Sequence, residues 1–296
     1  MAAGRMHADE LDIDDALVRR LIAGQFPQWA GLPVESVDSA GTSNAMYRLG
    51  GDLVVRLPRI AGVADDIAKE HAWLPHLAPA LPVAVPVPLG VGGPADGYPW
   101  PWSVLGWLGG ANPVVDRIAE PGLLAADLAA FVRALRRVDP AGGPASFRSE
   151  PLGERDGVTR AAIAGLRGVV DTEAATAAWG AALRAPGHRG PAVWIHSDLQ
   201  PGNLLVSDSG RLSAVIDFGC VGLGDPAVDL IPVWYVLPAS ARGAFRAAVG
   251  ADDAAWARGR GWALSVALRE LDYYRETNPV MAGIARRVIG EVLAEG

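Results

Sequence analysis

Apolar positions Ile13, Leu17 and Leu21 recur at helical spacing across residues 12–25, with Asp12 placed to cap the first turn. The period then shortens. Residues 34–39, 45–49 and 53–57 are brief strand-forming runs, and Gly50-Gly51-Asp52 joins the last two as a hairpin turn. A helical pattern returns over residues 63–77, carrying Lys69, Glu70 and Trp73. Two more strands are predicted at residues 83–89 and 102–107, the proline-bearing first one irregular or at a sheet edge. After Gly109-Gly110 the character changes. An alanine- and leucine-rich helix is predicted over residues 123–138, and one or two more over 158–184. A strand-rich block at residues 193–224 interrupts, and residues 226–236, 239–249, 253–276 and 280–294 read helical again. There is no internal repeat. This order predicts an α+β chain of two lobes. Residues 1–107 form a small antiparallel sheet with one main helix, and residues 108–296 a larger, mostly helical lobe, with a hinge near residues 105–111.

Half of the 296 residues are apolar and 20% are charged, enough for a substantial core. The net charge of −7 argues against a broad basic face for nucleic acid and leaves room for a cationic small molecule. A single cysteine, Cys220, excludes an internal disulfide framework and a cysteine zinc site. The first fifteen residues are rich in acids and lack the apolar core of a signal peptide. Residues 77–95 are uncharged, but Pro79, Pro82, Pro86, Pro88 and Pro94 interrupt them, so no spanning helix is predicted. The expected location is the cytoplasm. Lys69 is the only lysine, so any chemistry that needs one must use it.

The densest chemical signal is His196-Ser-Asp198-Leu-Gln-Pro-Gly-Asn203, followed by Ile216-Asp217-Phe218-Gly219. Between them, two apolar runs flank the polar turn Ser207-Asp-Ser-Gly210, which predicts a β-hairpin. Antiparallel neighbours lie roughly 5 Å apart, so a hairpin is expected to bring Asp198 and Asn203 close to Asp217. Two carboxylates and an amide oxygen are hard ligands suited to Mg²⁺, which keeps several waters and binds substrate phosphates. The pattern is that of a kinase-like catalytic loop with a metal-binding Asp-Phe-Gly. A competing reading makes His196, Asp198 and Asp217 ligands of a hydrolytic metal centre. Such centres want more ligands, and His7, His71, His76 and His188 show no matching spacing.

In these two motifs, and in Gly224-Asp-Pro-Ala-Val-Asp-Leu230, the chain resembles the aminoglycoside phosphotransferase family, small-molecule kinases of protein-kinase-like fold. The resemblance implies ATP, or GTP, and Mg²⁺ as cofactors. It implies that Asp198 is the catalytic aspartate, that Asn203 and Asp217 hold Mg²⁺, and that Asp225 and Asp229 brace the catalytic loop. The segment Ser39-Ala-Gly41-Thr42-Ser43-Asn44 is then the turn over the phosphates. Arg56 stands where the family has a lysine, paired with Glu70 on the following helix, and it keeps the charge with a different reach. Backbone amides near Gly106 to Leu108 are expected to meet the adenine edge. Ser197 occupies a position where the family commonly has glycine.

Among the ten tryptophans, Trp73, Trp194 and Trp262 lie in apolar periodic runs and read as core. Trp234, Tyr273 and Tyr274 are the candidates for lining an acceptor pocket, with Glu270 among the acids of the last helices, Asp252, Asp253, Asp272 and Glu276. The expected acceptor is a hydroxyl of a small cationic molecule, first of all an aminoglycoside. Alternatives within the fold are choline, a sugar, homoserine or a macrolide. A protein kinase is disfavoured because only five residues separate Gly219 from Asp225 and no Ala-Pro-Glu follows. A nucleotide-binding pseudoenzyme is the reading from outside enzymology, and intact Asp198, Asn203 and Asp217 argue against it.

Overall fold

The computed structural model describes residues 10–37 and 43–295. Its chain divides into two units, one of residues up to Gly109 with Ala214–Gly219, the other of Gly110–Ser213 with Cys220–Gly296.

In the first unit, helix α1 (Asp15–Gln25) is capped by Asp14 rather than Asp12, because the cap must lie three residues before the N–H it accepts. Leu17 N–H reaches Asp14 Oδ1 at 2.7 Å. The strands are β1 (Val34–Ser36), β2 (Asn44–Leu49) and β3 (Leu53–Pro58), followed by helix α2 (Ala64–Leu77) and strands β4 (Pro88–Gly92) and β5 (Trp102–Gly106). They pair antiparallel in the order β1-β2-β3-β5-β4. The hairpin sets Leu49 opposite Leu53 and Met46 opposite Arg56. Its turn takes Gly50 to φ +63°, a left-handed backbone that glycine adopts without steric cost. Central strand β3 is buried almost throughout. Val55 and Leu57 join Val18, Leu21 and Ile22 of α1 with Trp102 in one core, and alternation sends Arg56 to the opposite face.

The strand expected at residues 83–89 is displaced. It runs instead as β4 on the sheet edge, with a register shift between Pro88 and Gly90. Pro86 and Pro88 have no N–H to give a ladder, whereas Gly92 lies flat on Trp102, where a Cβ would come within 2.0 Å of the ring.

The second unit carries helices α3 (Pro121–Leu135), α4 (Asp156–Gly165) and α5 (Thr172–Arg184), then strands β6 (Val193–Ile195), β7 (Leu204–Val206), β8 (Leu212–Val215) and β9 (Gly222–Gly224). Helices α6 (Pro232–Tyr235), α7 (Ala239–Val249), α8 (Asp253–Tyr274) and α9 (Pro279–Ala294) close the chain. Strand β8 ends in the first unit. β7 pairs with β8 as the hairpin pattern predicts, and β6 pairs with β9, setting Ile195 opposite Gly222. The helix expected over residues 226–236 is instead a 3₁₀ turn, Pro226–Leu230, and the single turn α6. Pro232 cannot continue a helix that begins at Pro226, for it lacks the N–H and its ring clashes with the preceding turn. Helix α8 is buried through its middle and second half, where Trp262, Leu264, Leu268 and Leu271 enter the core. No helix among the described residues is long and apolar enough to cross a membrane.

Candidate active site

In the first unit the chemistry gathers around Arg56. Its Nη1 donates to Glu70 Oε2 at 2.5 Å and its Nη2 to Asp217 Oδ1 at 3.1 Å. With the Asn44 amide set oxygen-inward, as the donors around it require, Nε and Nη2 both reach that oxygen at 3.1 Å. Burial works against the guanidinium charge, but Glu70 and Asp217 outweigh it and hold the pKa above the ordinary arginine value. The strand-to-helix ion pair expected from the sequence is therefore present with arginine in it, and Asn44 is part of the same cluster. Glu70 Oε1 is buried without a hydrogen-bond partner.

The Asp-Phe-Gly turn belongs to this unit. Asp217 takes φ +62°, a left-handed conformation that aspartate tolerates better than most residues. Its side chain is 42% exposed, whereas Phe218 is wholly buried. Lys69 Nζ donates to the Gly219 carbonyl and pairs with Asp66, one turn back on α2. A Cβ on Gly219 would come within 2.9 Å of that Asp66 carboxylate, so a larger residue would have to push it aside.

In the second unit, the β6–β9 pairing sets up the catalytic-loop motif, and buried Asp229 fixes it. Asp229 Oδ2 accepts from His196 N–H at 2.9 Å and Oδ1 from Ser197 N–H at 2.7 Å. Asp225 takes Arg258 of α8 in a two-point contact, 2.7 and 3.2 Å. Ser197 has φ +65°, the physical reason a glycine would suit this position. Its hydroxyl offsets the strain by donating to the Cys220 carbonyl at 3.0 Å.

Asp198, 22% exposed, is held on both oxygens. Oδ1 accepts from Arg148 Nη1 at 3.0 Å and from Gln200 Nε2 at 3.1 Å, while Oδ2 accepts from Asn203 Nδ2 at 2.8 Å. Asn203 thus spends its amide nitrogen on Asp198 and keeps its oxygen as an acceptor. Gln200 Nε2 also donates to Glu270 Oε1 at 2.6 Å, and the Tyr235 hydroxyl donates to Glu270 Oε2 at 2.8 Å. Burial, with Asp198 nearby, pushes the Glu270 carboxyl up to about 7 against those two hydrogen bonds. Arg148, Gln200 and Tyr235 were not singled out by their residue patterns. Arg148 sits in a loop without periodicity, Tyr235 in an apolar run that reads as core, and only Gln200 lies inside the motif.

Other expected positions fall differently. Ser39, Gly41 and Thr42 lie outside the described residues, while the Ser43 carbonyl accepts from Arg59 N–H at 2.9 Å. Gly106 N–H is spent on Val87 O at 3.0 Å and Trp107 N–H on Asp52 O at 2.7 Å, so these two amide protons of the expected hinge are already paired within the chain. Trp234 does not line a pocket. It is wholly buried, packed beside Trp256, with its indole N–H on Glu295. Tyr273 and Tyr274 meet edge to face at 4.8 Å on the last turn of α8, and Tyr273 is exposed. Of the neighbouring acids, Asp252 caps α8 and Asp253 pairs with Arg246, while Asp272 and Glu276 are exposed.

Among the described residues no group of three or more His, Cys, Asp or Glu side chains is arranged to hold a metal ion, so the ligand set of a hydrolytic centre is not assembled there. His196 is buried, with Nδ1 facing Asp198 N–H at 3.3 Å. Taken singly, the half-exposed Asp217 carboxylate of the first unit and the Asn203 amide oxygen of the second are each hard oxygen donors of the kind Mg²⁺ takes.

A family model described as the phosphotransferase enzyme family matches residues 35–262. No curated protein matches the chain in sequence. Solved structures do. The GDP and kanamycin complex of APH(2")-IIia is 22% identical with a TM-score of 0.76, covering 94% of this chain and 99% of that one. The streptomycin–ATP ternary complex of APH(2")-IIa is 16% identical with a TM-score of 0.62, covering 96% and 97%. The apoenzyme of macrolide 2'-phosphotransferase MphH from Brachybacterium faecium is 24% identical with a TM-score of 0.60, covering 93% and 98%. The protein-kinase-like fold expected from the motifs is the fold of this chain.

Proposed function

Because this chain belongs to the phosphotransferase enzyme family, we propose that it transfers the terminal phosphoryl group of ATP or GTP to a hydroxyl of a small molecule. The observation that carries this reading is the hydrogen bonding of Asp198. Two donors occupy Oδ1 and one occupies Oδ2, so a lone pair of Oδ2 is left to accept a substrate proton. A carboxylate held in this way aligns an alcohol for attack. The alcohol oxygen forms its bond to phosphorus, its proton passes to Asp198 Oδ2, and the bond to the nucleoside diphosphate breaks. We assign Mg²⁺ to Asn203 and Asp217; when bound, it neutralises charge on the phosphates. Arg56 orients the Asp217 carboxylate, and the same positive charge favours the phosphates.

The acceptor we propose is a polyamine sugar of the aminoglycoside class. Support comes from the net charge of −7, from exposed Asp272 and Glu276 beside Tyr273, and from the kanamycin and streptomycin held by similar structures. A macrolide is the second reading. It is favoured by the likeness to MphH and by the prior commitment of Glu270, Asp252 and Asp253 to partners in the protein.

Turnover of Mg²⁺–ATP and Mg²⁺–GTP against aminoglycosides, macrolides, sugars and amino alcohols, with mass spectrometry of the products, tests the function. Asp198→Asn keeps the shape and removes the base. Turnover is expected to fall by about 10²–10⁴-fold with nucleotide affinity little changed. Full activity in that variant would exclude Asp198 as the base. No phosphorylated aminoglycoside, and no change in susceptibility when the protein is expressed in a sensitive bacterium, would leave the macrolide reading ahead.

A further inference from the structure

Glu270 looks from its position like an acid waiting for a cationic acceptor, yet both of its oxygens are taken from within its own unit. Oε2 accepts the hydroxyl proton of Tyr235, a residue with no exposed surface, and Oε1 accepts from Gln200 Nε2. That same nitrogen gives its other proton to Asp198 Oδ1. With Glu270 ionised, the directions of these bonds are set: the phenol donates to its carboxylate, and an amide nitrogen lying between two carboxylates donates to both. Turning the Gln200 amide over would set its oxygen against two carboxylate oxygens and lose both bonds. Glu270 therefore locks which way the Gln200 amide faces, and Gln200 with Arg148 locks Asp198 Oδ1. The oxygen left for the acceptor is Oδ2.

We propose that Glu270, backed by Tyr235, is a positioning residue that holds the base Asp198 through Gln200, and is not a ligand for the acceptor. The inference rests on Asp198 being the base of the proposed transfer. It explains why a buried tyrosine in an apolar run keeps its hydroxyl aimed at a carboxylate, and why the residue two places after Asp198 carries an amide. A carboxylate off its productive geometry by about 1 Å costs roughly two orders of magnitude in rate, so a strut of this kind acts on kcat.

The test compares Tyr235→Phe, Glu270→Ala and Glu270→Gln with the unaltered protein. Tyr235 is wholly buried and cannot touch an acceptor, so any effect of losing its hydroxyl must travel through Glu270. Glu270→Ala is expected to lower kcat roughly ten- to a hundredfold with acceptor KM within about twofold. Tyr235→Phe should act in the same direction and more weakly, and should add nothing to Glu270→Ala. Glu270→Gln should rescue much of the rate, because its amide oxygen accepts from Gln200 while its nitrogen donates to the tyrosine oxygen. A raised acceptor KM with kcat intact in Glu270→Ala overturns the proposal in favour of substrate binding. Unchanged kinetics in all three variants overturn it as well.

A second arm is independent of turnover. The chain has only three glutamines, Gln25, Gln28 and Gln200, so the side-chain amide of Gln200 is readily assigned by ¹⁵N NMR. Its resonances should shift in Glu270→Ala, and less in Tyr235→Phe. An amide that stays in place in both sinks the strut. If the unaltered protein phosphorylated nothing, the reading of Asp198 would fail, while the Gln200 resonances would still show whether Glu270 holds the amide.

Discussion

Arg56 illustrates how a single residue does more than its type suggests. As a strand residue at the usual lysine position it reads as a phosphate partner. In the structure its guanidinium already serves Asn44, Glu70 and Asp217. Removing it would leave Glu70 buried without a counter-charge, and Glu70 Oε1 has no partner to begin with. Arg56→Ala is therefore expected to cost about 3–5 kcal/mol of stability as well as nucleotide affinity, measured by urea unfolding and nucleotide titration. Arg56→Lys keeps the charge, loses the fork, and should cost about 1–2 kcal/mol with activity retained. Ser197 makes the complementary case, where backbone conformation rather than charge decides. With φ at +65°, Ser197→Gly should stay within about 1 kcal/mol of the unaltered protein. A β-branched residue has no easy way into that conformation, so Ser197→Val should lose about 1–3 kcal/mol in the same assay.

Among the elements, α2 is the clearest example of a helix that works through consecutive residues. Glu70 reaches Asp217 by way of Arg56, and Lys69 reaches the Gly219 carbonyl directly, so one turn of helix grips both ends of the Asp-Phe-Gly turn. Lys69 next to Glu70 in sequence points to a different face, as helical geometry requires, and that face meets the other end of the turn. Lys69→Met should weaken Mg²⁺–nucleotide binding by about 1 kcal/mol, roughly fivefold, and Lys69→Arg should restore it; isothermal titration at fixed Mg²⁺ measures both. The elements also show where local pattern suffices. Helix α7 spans the residues its periodicity predicts. The departures, β4 and the 3₁₀ turn before α6, fall at prolines, where a missing N–H overrides the apolar pattern.

For the molecule as a whole, the buried acid in the second unit ties stability to pH. Glu270 is raised from 4.5 to about 7, so between those values the folded state binds more protons than the unfolded one. Its contribution is fully present below the unfolded pKa and is lost as pH rises through 7. Glu270→Gln stays neutral throughout. Relative to the unaltered protein, it should gain about 1–3 kcal/mol between pH 5 and pH 8, read from thermal unfolding across that range. A stability difference that is flat with pH would mean that Glu270 is not raised.

The order of strands and helices, the two motifs and the residue types that the chemistry needs were all legible along the chain. Those depend on neighbours within a few positions, through side-chain periodicity, turn residues and missing amide protons. Asp198, Asn203 and Asp217 were therefore readable as a kinase-like set, while the pairing of Arg56 with Glu70 was implied by the family resemblance and not by any local pattern. What each of these residues touches was settled by folding alone. Arg148 lies 50 positions from Asp198, and Glu270 lies 70 from Gln200 and 35 from Tyr235. No local pattern records such contacts, since a loop arginine, a tyrosine in an apolar run and a glutamate on a helix each look ordinary alone. Folding selects their partners by burial, because a charge removed from water must find hydrogen bonds wherever the packing brings them.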